Sequence, residues 1–307
     1  MANQFKKKGL IATADSKKWW WKTHVAAPTP LKLHDNFYRI YFSGRDSLNR
    51  SQIGYLDIEI VRDDIKVISV SEEPALTNGK LGLFDDNGVT PSSVIRFRNQ
   101  IYLYYIGWNP GSTTRMNIFG GLAISSDGGK SFERYSKAPI IERSKINPYI
   151  NTSAYVLKIN ENLFYMYYVS GTEWINKDLP KYNIQFAKST NGKDWQREGK
   201  VCIDYKNSDE VALARPFVIK NDDFYEMWFC HKSIDTNYEF GYATSNNGIL
   251  WDRKTSLPAE ILNDSNSNWD REMNAYPSLI RANGYEFLIY NGNGYGLSGV
   301  GYAVRNI

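Results

Sequence analysis

The sequence predicts an all-β protein, a five-bladed β-propeller with four antiparallel strands per blade. Three observations predict it. The 307-residue chain carries 22 Tyr, 14 Phe and 9 Trp, residue types that favour strands over helices. A strand–turn–strand unit recurs five times along the chain. Apolar spacing of helical period is absent.

The unit is clearest between Phe84 and Trp108. An apolar strand over 92–97 follows a Thr-Pro step, a short polar turn at Arg98 to Gln100 reverses the chain, and an aromatic strand runs from Ile101 to Ile106. The other copies begin near His24, Tyr149, Glu210 and Glu272. Their turns carry Asp35-Asn36, Asn160, Asn221-Asp222 and Asn283-Gly284, side chains and backbones suited to hairpins. A third strand follows each pair, and in three units a Ser-led turn and an aromatic lead into a fourth: 125–132, 189–195 and 245–251. Four-stranded units at this spacing read as propeller blades. The fifth unit stops at its third strand, so the stretch from Lys8 to Thr13 is expected to supply the missing outer strand and close the ring, leaving no open edge. Residues 1–307 then form a single domain.

Charge and composition narrow the partners. The net charge of +4 comes from 37 basic and 33 acidic residues that are interspersed, which is a solvated surface and not a nucleic-acid footprint. No segment reaches the roughly 20 apolar residues of a membrane span, and the first residues hold no apolar run of signal-peptide length. Cys202 and Cys230 are too few for a disulfide framework. The expectation is a cytoplasmic protein with free thiols.

In a propeller, residues before the innermost strand and after the second strand of each blade share one mouth of the central channel. Aligned on Pro30, Pro91, Ala154, Pro216 and Pro277, the units place His24, Asp86, Tyr149, Glu210 and Glu272 just upstream. The second strands end at Arg45 and Asp46, Trp108, Glu173, His231, and Asn291. Arg215 and Tyr276 directly precede their prolines. One charged residue before a strand is usually a solvated loop residue, but carboxylates recurring at one level of several units suit glycoside chemistry, where one protonates the leaving oxygen and another acts as base or nucleophile. Asp86, Glu210 and Glu272 are therefore the candidate catalytic acids. His24, Arg45, Asp46, Trp108, Glu173, Arg215, His231, Asp270, Tyr276 and Asn291 are the candidate substrate contacts, for a carbohydrate or an activated sugar. The histidines lack zinc spacing, so no cofactor is expected; the alternative is a divalent cation in the channel held by Asp86, Glu210 or Glu272. The glycine-rich stretch 291–296 reads as a loop.

Three motifs carry a resemblance: Phe84-Asp85-Asp86-Asn87-Gly88, Asp209-Glu210 with Ala214-Arg215-Pro216, and Trp269-Asp270-Arg271-Glu272-Met273 with Tyr276-Pro277. Through these and the blade pattern, the whole chain resembles the five-bladed propeller glycosidases of the furanosidase type, the superfamily of glycoside hydrolase families 32, 43, 62, 68, 117 and 130. It is similar to the predicted glycosyl hydrolases of bacterial surface-polysaccharide gene clusters. The resemblance implies a glycoside hydrolase-like activity. One departure stands out. Arabinanase-like members place catalytic Asp in Asp-Pro steps, and here those steps read Thr29-Pro30, Thr90-Pro91, Arg215-Pro216 and Tyr276-Pro277. Two further readings follow: sugar transfer to phosphate or from an activated donor, suggested by the arginines, and a non-catalytic glycan-binding propeller, suggested by the missing acids. The stretch 125–132 also fits the sialidase Asp-box, read here as a hairpin-turn motif.

Overall fold

The structure is a computed structural model and describes residues 4–262 and 268–307. It is almost entirely β. Strand β1 (Phe5–Ala12) leads into an antiparallel meander of β2 (Thr23–His34), β3 (Phe37–Arg45), β4 (Ser51–Val61) and β5 (Asp64–Val70). The next meander is β6 (Val89–Phe97), β7 (Gln100–Pro110), β8 (Met116–Ser125) and the short β9 (Glu133–Arg134). It is followed by β10 (Asn151–Asn160), β11 (Leu163–Asn176), β12 (Leu179–Ser189) and β13 (Gln196–Ile203). Then come β14 (Glu210–Lys220), β15 (Tyr225–Ser233), β16 (Glu239–Ser245) and β17 (Asp252–Arg253). After β18 (Ile261–Leu262), the last meander is β19 (Ala275–Ala282), β20 (Tyr285–Asn291) and β21 (Val300–Asn306). Its fourth strand is β1, antiparallel to β21 from Lys6↔Val304 to Ala12↔Val300, with β18 parallel on its far side. The sequence placed this strand at Lys8 to Thr13, and it begins three residues earlier. Among the described residues the one helical turn, α1 (Asn293–Gly296), has left-handed backbone at Gly294 and Tyr295.

The first strands of the meanders stand side by side: β2 beside β6, β6 beside β10, β10 beside β14, β14 beside β19, and β19 beside β2. The hydrophobic core follows the same order, in clusters shared by neighbouring meanders. Tyr41 and Ile53 pack with Leu103 and Tyr105, Tyr104 with Met166 and Tyr168, Tyr167 with Met227 and Phe229, Trp228 with Leu288 and Tyr290, and Trp20, Phe42 and Ile58 with Phe287, Ile289 and Tyr302. A sheet that buries both faces needs apolar side chains at consecutive positions, and the adjacent pairs Tyr104-Tyr105 and Tyr167-Tyr168 each pack into two different clusters.

The Ser-led turns stitch meander to meander. In each, the Ser hydroxyl accepts a glycine N–H, and an Asp or Asn two residues on accepts two more backbone N–H groups. The carbonyl of that glycine then faces the preceding meander. Tyr41 donates to Gly129 O (2.7 Å), Tyr104 to Gly192 O (2.8 Å) and Tyr167 to Gly248 O (2.7 Å). The aromatic closing each turn, Phe132, Trp195 or Trp251, packs edge-on against the same tyrosine. All three glycines have positive φ, and a Cβ on Gly129 would stand 2.1 Å from the Tyr41 hydroxyl. The box-like motif is thus an architectural latch.

Tyr104→Phe removes one latch hydrogen bond and leaves the buried Gly192 carbonyl unpaired. The expected cost is roughly 1–2 kcal/mol, read as a lowered midpoint in urea with an unchanged slope.

Candidate functional site

Where the first strands meet, each carries a bulge at one level. Register shifts occur between Ala26 and Thr29, Pro91 and Ser93, Thr152 and Tyr155, Ala214 and Phe217, and Ala275 and Ser278. Matching the paired residues of the second strands puts Ala27, Pro91, Ser153, Arg215 and Tyr276 at equivalent positions. All but the proline have φ between 49° and 59°, a left-handed backbone that costs energy in non-glycine residues. This corrects the proline alignment. In the first meander the step is Ala27-Pro28, not Thr29-Pro30, and in the second Pro91 itself occupies the place assigned to Thr90.

Above this level opens a cleft of about 450 Å³, a size typical of small-ligand sites. It draws residues from every meander: Ala26, Ala27 and Arg45; Thr90, Trp108 and Arg115; Thr152, Ser153 and Tyr182; Ala214, Arg215, Lys232 and Tyr238; Tyr276 and Tyr295. The residues one place before the bulge are all small (Ala26, Thr90, Thr152, Ala214 and Ala275), which keeps the cleft open. Its aromatic wall is continuous. Tyr182 and Tyr238 share a hydrogen bond between hydroxyls, and the Tyr238 ring lies 5.9 Å from Tyr276 and edge-on, 6.1 Å, to Tyr295. Burial pushes the Tyr182, Tyr238 and Tyr276 hydroxyls up, so they stay protonated donors. The Thr152 and Ser153 hydroxyls are buried in the cleft wall without a hydrogen-bond partner, although buried polar groups are normally satisfied.

Of the expected substrate contacts, Arg45, Trp108, Arg215 and Tyr276 line this cleft. His24 sits beside it; burial and the neighbouring Arg45 pull its imidazole down to about 4, so it is neutral at physiological pH. The rest are engaged elsewhere. Asp46 accepts from the Leu48 and Arg50 backbone and pairs with the Arg50 side chain, shaping a turn. Exposed Glu173 faces Lys181 at 3.5 Å. Asn291 is wholly buried and clamps β2, accepting from Ala27 N–H and donating to Val25 O. Asp270 pairs with Lys7 at 2.7 Å and accepts from the Tyr290 hydroxyl.

The three expected catalytic acids are not among the cleft's lining residues. Asp86 caps a turn, accepting from Gly82 N–H. Glu272 is exposed. Glu210 is 3% exposed and accepts a two-pronged contact from Arg253 (2.6 Å each) with His231 Nδ1 at 3.0 Å. It belongs to a repeated arrangement in which a buried polar group at or before the start of the first strand is tied to strands further out in the same meander. Asp85 is held by Arg134 and Tyr105, Asp270 by Lys7 and Tyr290, and Asn147 stands in for the acid with Tyr168 and Gln185. Arg253 and His231 occupy both oxygens of Glu210. Among the described residues no group of three or more His, Cys, Asp or Glu could hold a metal ion, and no helix is long and apolar enough to cross a membrane. Both cysteines are buried and free.

The sequence reading missed Arg115, Lys232, Thr152, Ser153, Tyr182, Tyr238 and Tyr295. Lys232 could have been found by continuing β15 one residue past His231. Tyr295 lay in the stretch read as a plain loop, and its left-handed backbone turns the ring toward the cleft.

No family profile matches the chain. An uncharacterized protein of Mycobacterium tuberculosis, Rv1502, is 34% identical over 301 residues, covering 98% of both sequences. The chain belongs to the Rv1502 family. The fold of this family member is similar to solved glycoside hydrolases. One glycoside hydrolase structure matches with TM-score 0.73 and 16% identity, over 99% of this protein and 91% of that one. A putative glycoside hydrolase from Parabacteroides distasonis matches at 0.68 and 16%, over 99% and 97%. A thermostable family-43 glycoside hydrolase matches at 0.64 and 18%, over 92% and 88%. The all-β fold is therefore that of the propeller-type glycosidases.

Burial alone would raise the Glu210 carboxyl, but hydrogen bonds from Arg253, His231 and Lys206 N–H outweigh it and hold it down to about 2 from an ordinary 4.5. A depressed carboxylate stabilises the fold above its unfolded value, and that contribution is lost as pH falls from 4.5 toward 2. The shift corresponds to roughly 3 kcal/mol. Glu210→Gln is expected to lower stability at pH 7 by about that amount, with the gap from wild type closing as denaturation is measured at successively lower pH.

Proposed function

We propose that this protein is a single-domain, five-bladed propeller, closed by β1, that binds a carbohydrate in the central cleft. The single observation that carries the reading is the cleft itself. It has a tyrosine wall, a tryptophan, and two buried hydroxyls, Thr152 and Ser153, that lack protein partners. Aromatic faces pack against the apolar faces of sugar rings, and unpaired hydroxyls are satisfied by sugar hydroxyls. The glycosidase-type fold supports the ligand class by analogy only.

The geometry favours binding over hydrolysis by a carboxylate pair. A glycosidase needs two carboxyl groups flanking the scissile bond, about 5 to 9.5 Å apart. Among the described residues, the one carboxylate lining the cleft is Asp178, on the exposed β11–β12 hairpin. Tyr276→Ala and Ser153→Val should each weaken glycan binding about tenfold, roughly 1.4 kcal/mol, by glycan array followed by calorimetry. Asp86→Asn and Glu272→Gln should bind as wild type. Release of sugar by the wild type that stops in either carboxylate variant would replace this reading with hydrolysis. A second reading, sugar transfer from an activated donor, is favoured by the cations of the cleft.

A further inference from the structure

Several arginines of the sheets are paired with carboxylates. Arg39, Arg50, Arg134, Arg253, Arg281 and Arg305 all form ion pairs. Four cations gather around the cleft instead. Arg45, Arg115, Arg215 and Lys232 line it together, and among the described residues none of the four lies within 4 Å of a carboxylate. Arg45 reaches only the Asn49 side-chain oxygen.

Arg215 is the extreme case. It is 6% exposed and forms the floor of the cleft, since it also lines a smaller cavity of about 190 Å³ at the other end of the first strands, with Thr29, Ser92 and Ser93. Its guanidinium donates to Pro91 O, Pro28 O and Thr29 Oγ1. These neutral acceptors orient the group without cancelling its charge. Burial pulls Arg215 down to about 10, and burial also lowers Lys232, with Arg115 adding repulsion. A buried charge without a counter-ion is costly, so the site is built for an anion that arrives from outside. Against these four cations the cleft lining holds one carboxylate, the exposed Asp178; the remaining excess is more than a single further carboxylate charge would balance, and arginine forks match phosphate geometry. The unpartnered Thr152 and Ser153 hydroxyls add neutral donors in the same wall.

We infer that the ligand of the cleft carries a phosphoryl group, seated on Arg215 and flanked by Arg45, Arg115 and Lys232. This rests on the reading of the cleft as a carbohydrate site and narrows it to a phosphorylated or nucleotide-activated sugar.

The test is thermal unfolding and calorimetry of the full chain with inorganic phosphate, and with acetate or chloride at matched ionic strength. Phosphate should raise Tm in a saturable way, and acetate and chloride should not. Arg215→Met should fold with a Tm equal to or above that of wild type without phosphate, and bind phosphate at least tenfold more weakly. The double variant Arg115→Ala/Lys232→Ala, which leaves the buried floor intact, should weaken binding three- to tenfold. Glucose 1-phosphate and UDP-glucose, added as competitors of phosphate, separate a phosphomonoester from a diphosphate source. Equal shifts with acetate, no shift with phosphate, or full phosphate affinity in both variants would each overturn the inference. Neutral-glycan binding with no phosphate response would sink this inference and leave the carbohydrate reading standing. Phosphate binding with no response to any sugar would do the reverse.

Discussion

The structure depends on what can be tolerated where the first strands converge. Backbones that meet this closely leave room for little beyond a methyl or hydroxyl: the residues one place before the bulge are all Ala or Thr, and four of them, Ala26, Thr90, Thr152 and Ala214, line the cleft. The bulge one place further on is the only level at which a longer side chain reaches the cleft from these strands. Three of its five positions are Ala27, Pro91 and Ser153. The remaining two, Arg215 and Tyr276, therefore decide the chemistry of the cleft floor. Everything outward of that level, the paired strands, the shared aromatic clusters and the tyrosine latches, fixes the position of these two side chains.

The acids went to the rim of each meander instead. Asp85 and Asp270 stand before a first strand and Glu210 opens one, and each is held by a cation of the outer strand: Arg134, Lys7 and Arg253. This contact ties the innermost and outermost layers of one sheet together across its end. Asn147, at the corresponding place in the third meander, makes neutral hydrogen bonds to Ser170 and Tyr168 of β11 and Gln185 of β12, and so reaches only the middle strands. These three buried carboxylates are thus compensated within the sheets, while the four cations lining the cleft have no carboxylate within 4 Å among the described residues.

Much of the architecture was legible because it repeats. The strand pairs, their turns and the outer-strand role of the N-terminus all follow from a pattern of period, turn residue and aromatic strand. The site was less legible, for identifiable reasons. Two X-Pro steps stand side by side in Ala27-Pro28-Thr29-Pro30, and only the pairing of β2 with β3 shows which one is the bulge. Adjacent acids, Asp85 with Asp86 and Asp270 near Glu272, look alike in sequence, yet one of each pair is buried on a cation far away in the chain. Glu210 was read as a candidate catalytic acid, but its partner Arg253 lies 43 residues on, so its ion pair had no local signature. Arg115, on a hairpin without regular pattern, had none either.

Arg215 combines two costs in one residue, a left-handed backbone and a buried charge with only neutral acceptors. Neither serves the stability of the fold. A methionine-sized apolar chain would fill the same space without the desolvation penalty, and replacement of buried charges by apolar groups is commonly neutral or stabilising. Local costs of this kind persist where surrounding structure enforces them and where the strained group has work to do. Here the enforcement is visible in the three acceptors that hold the guanidinium and in the bulge that aims it. The unpaired hydroxyls beside it are a third cost of the same kind. A ligand bearing both hydroxyls and negative charge would relieve all of them at once, which is why the energetic irregularities of this fold converge on a single cleft.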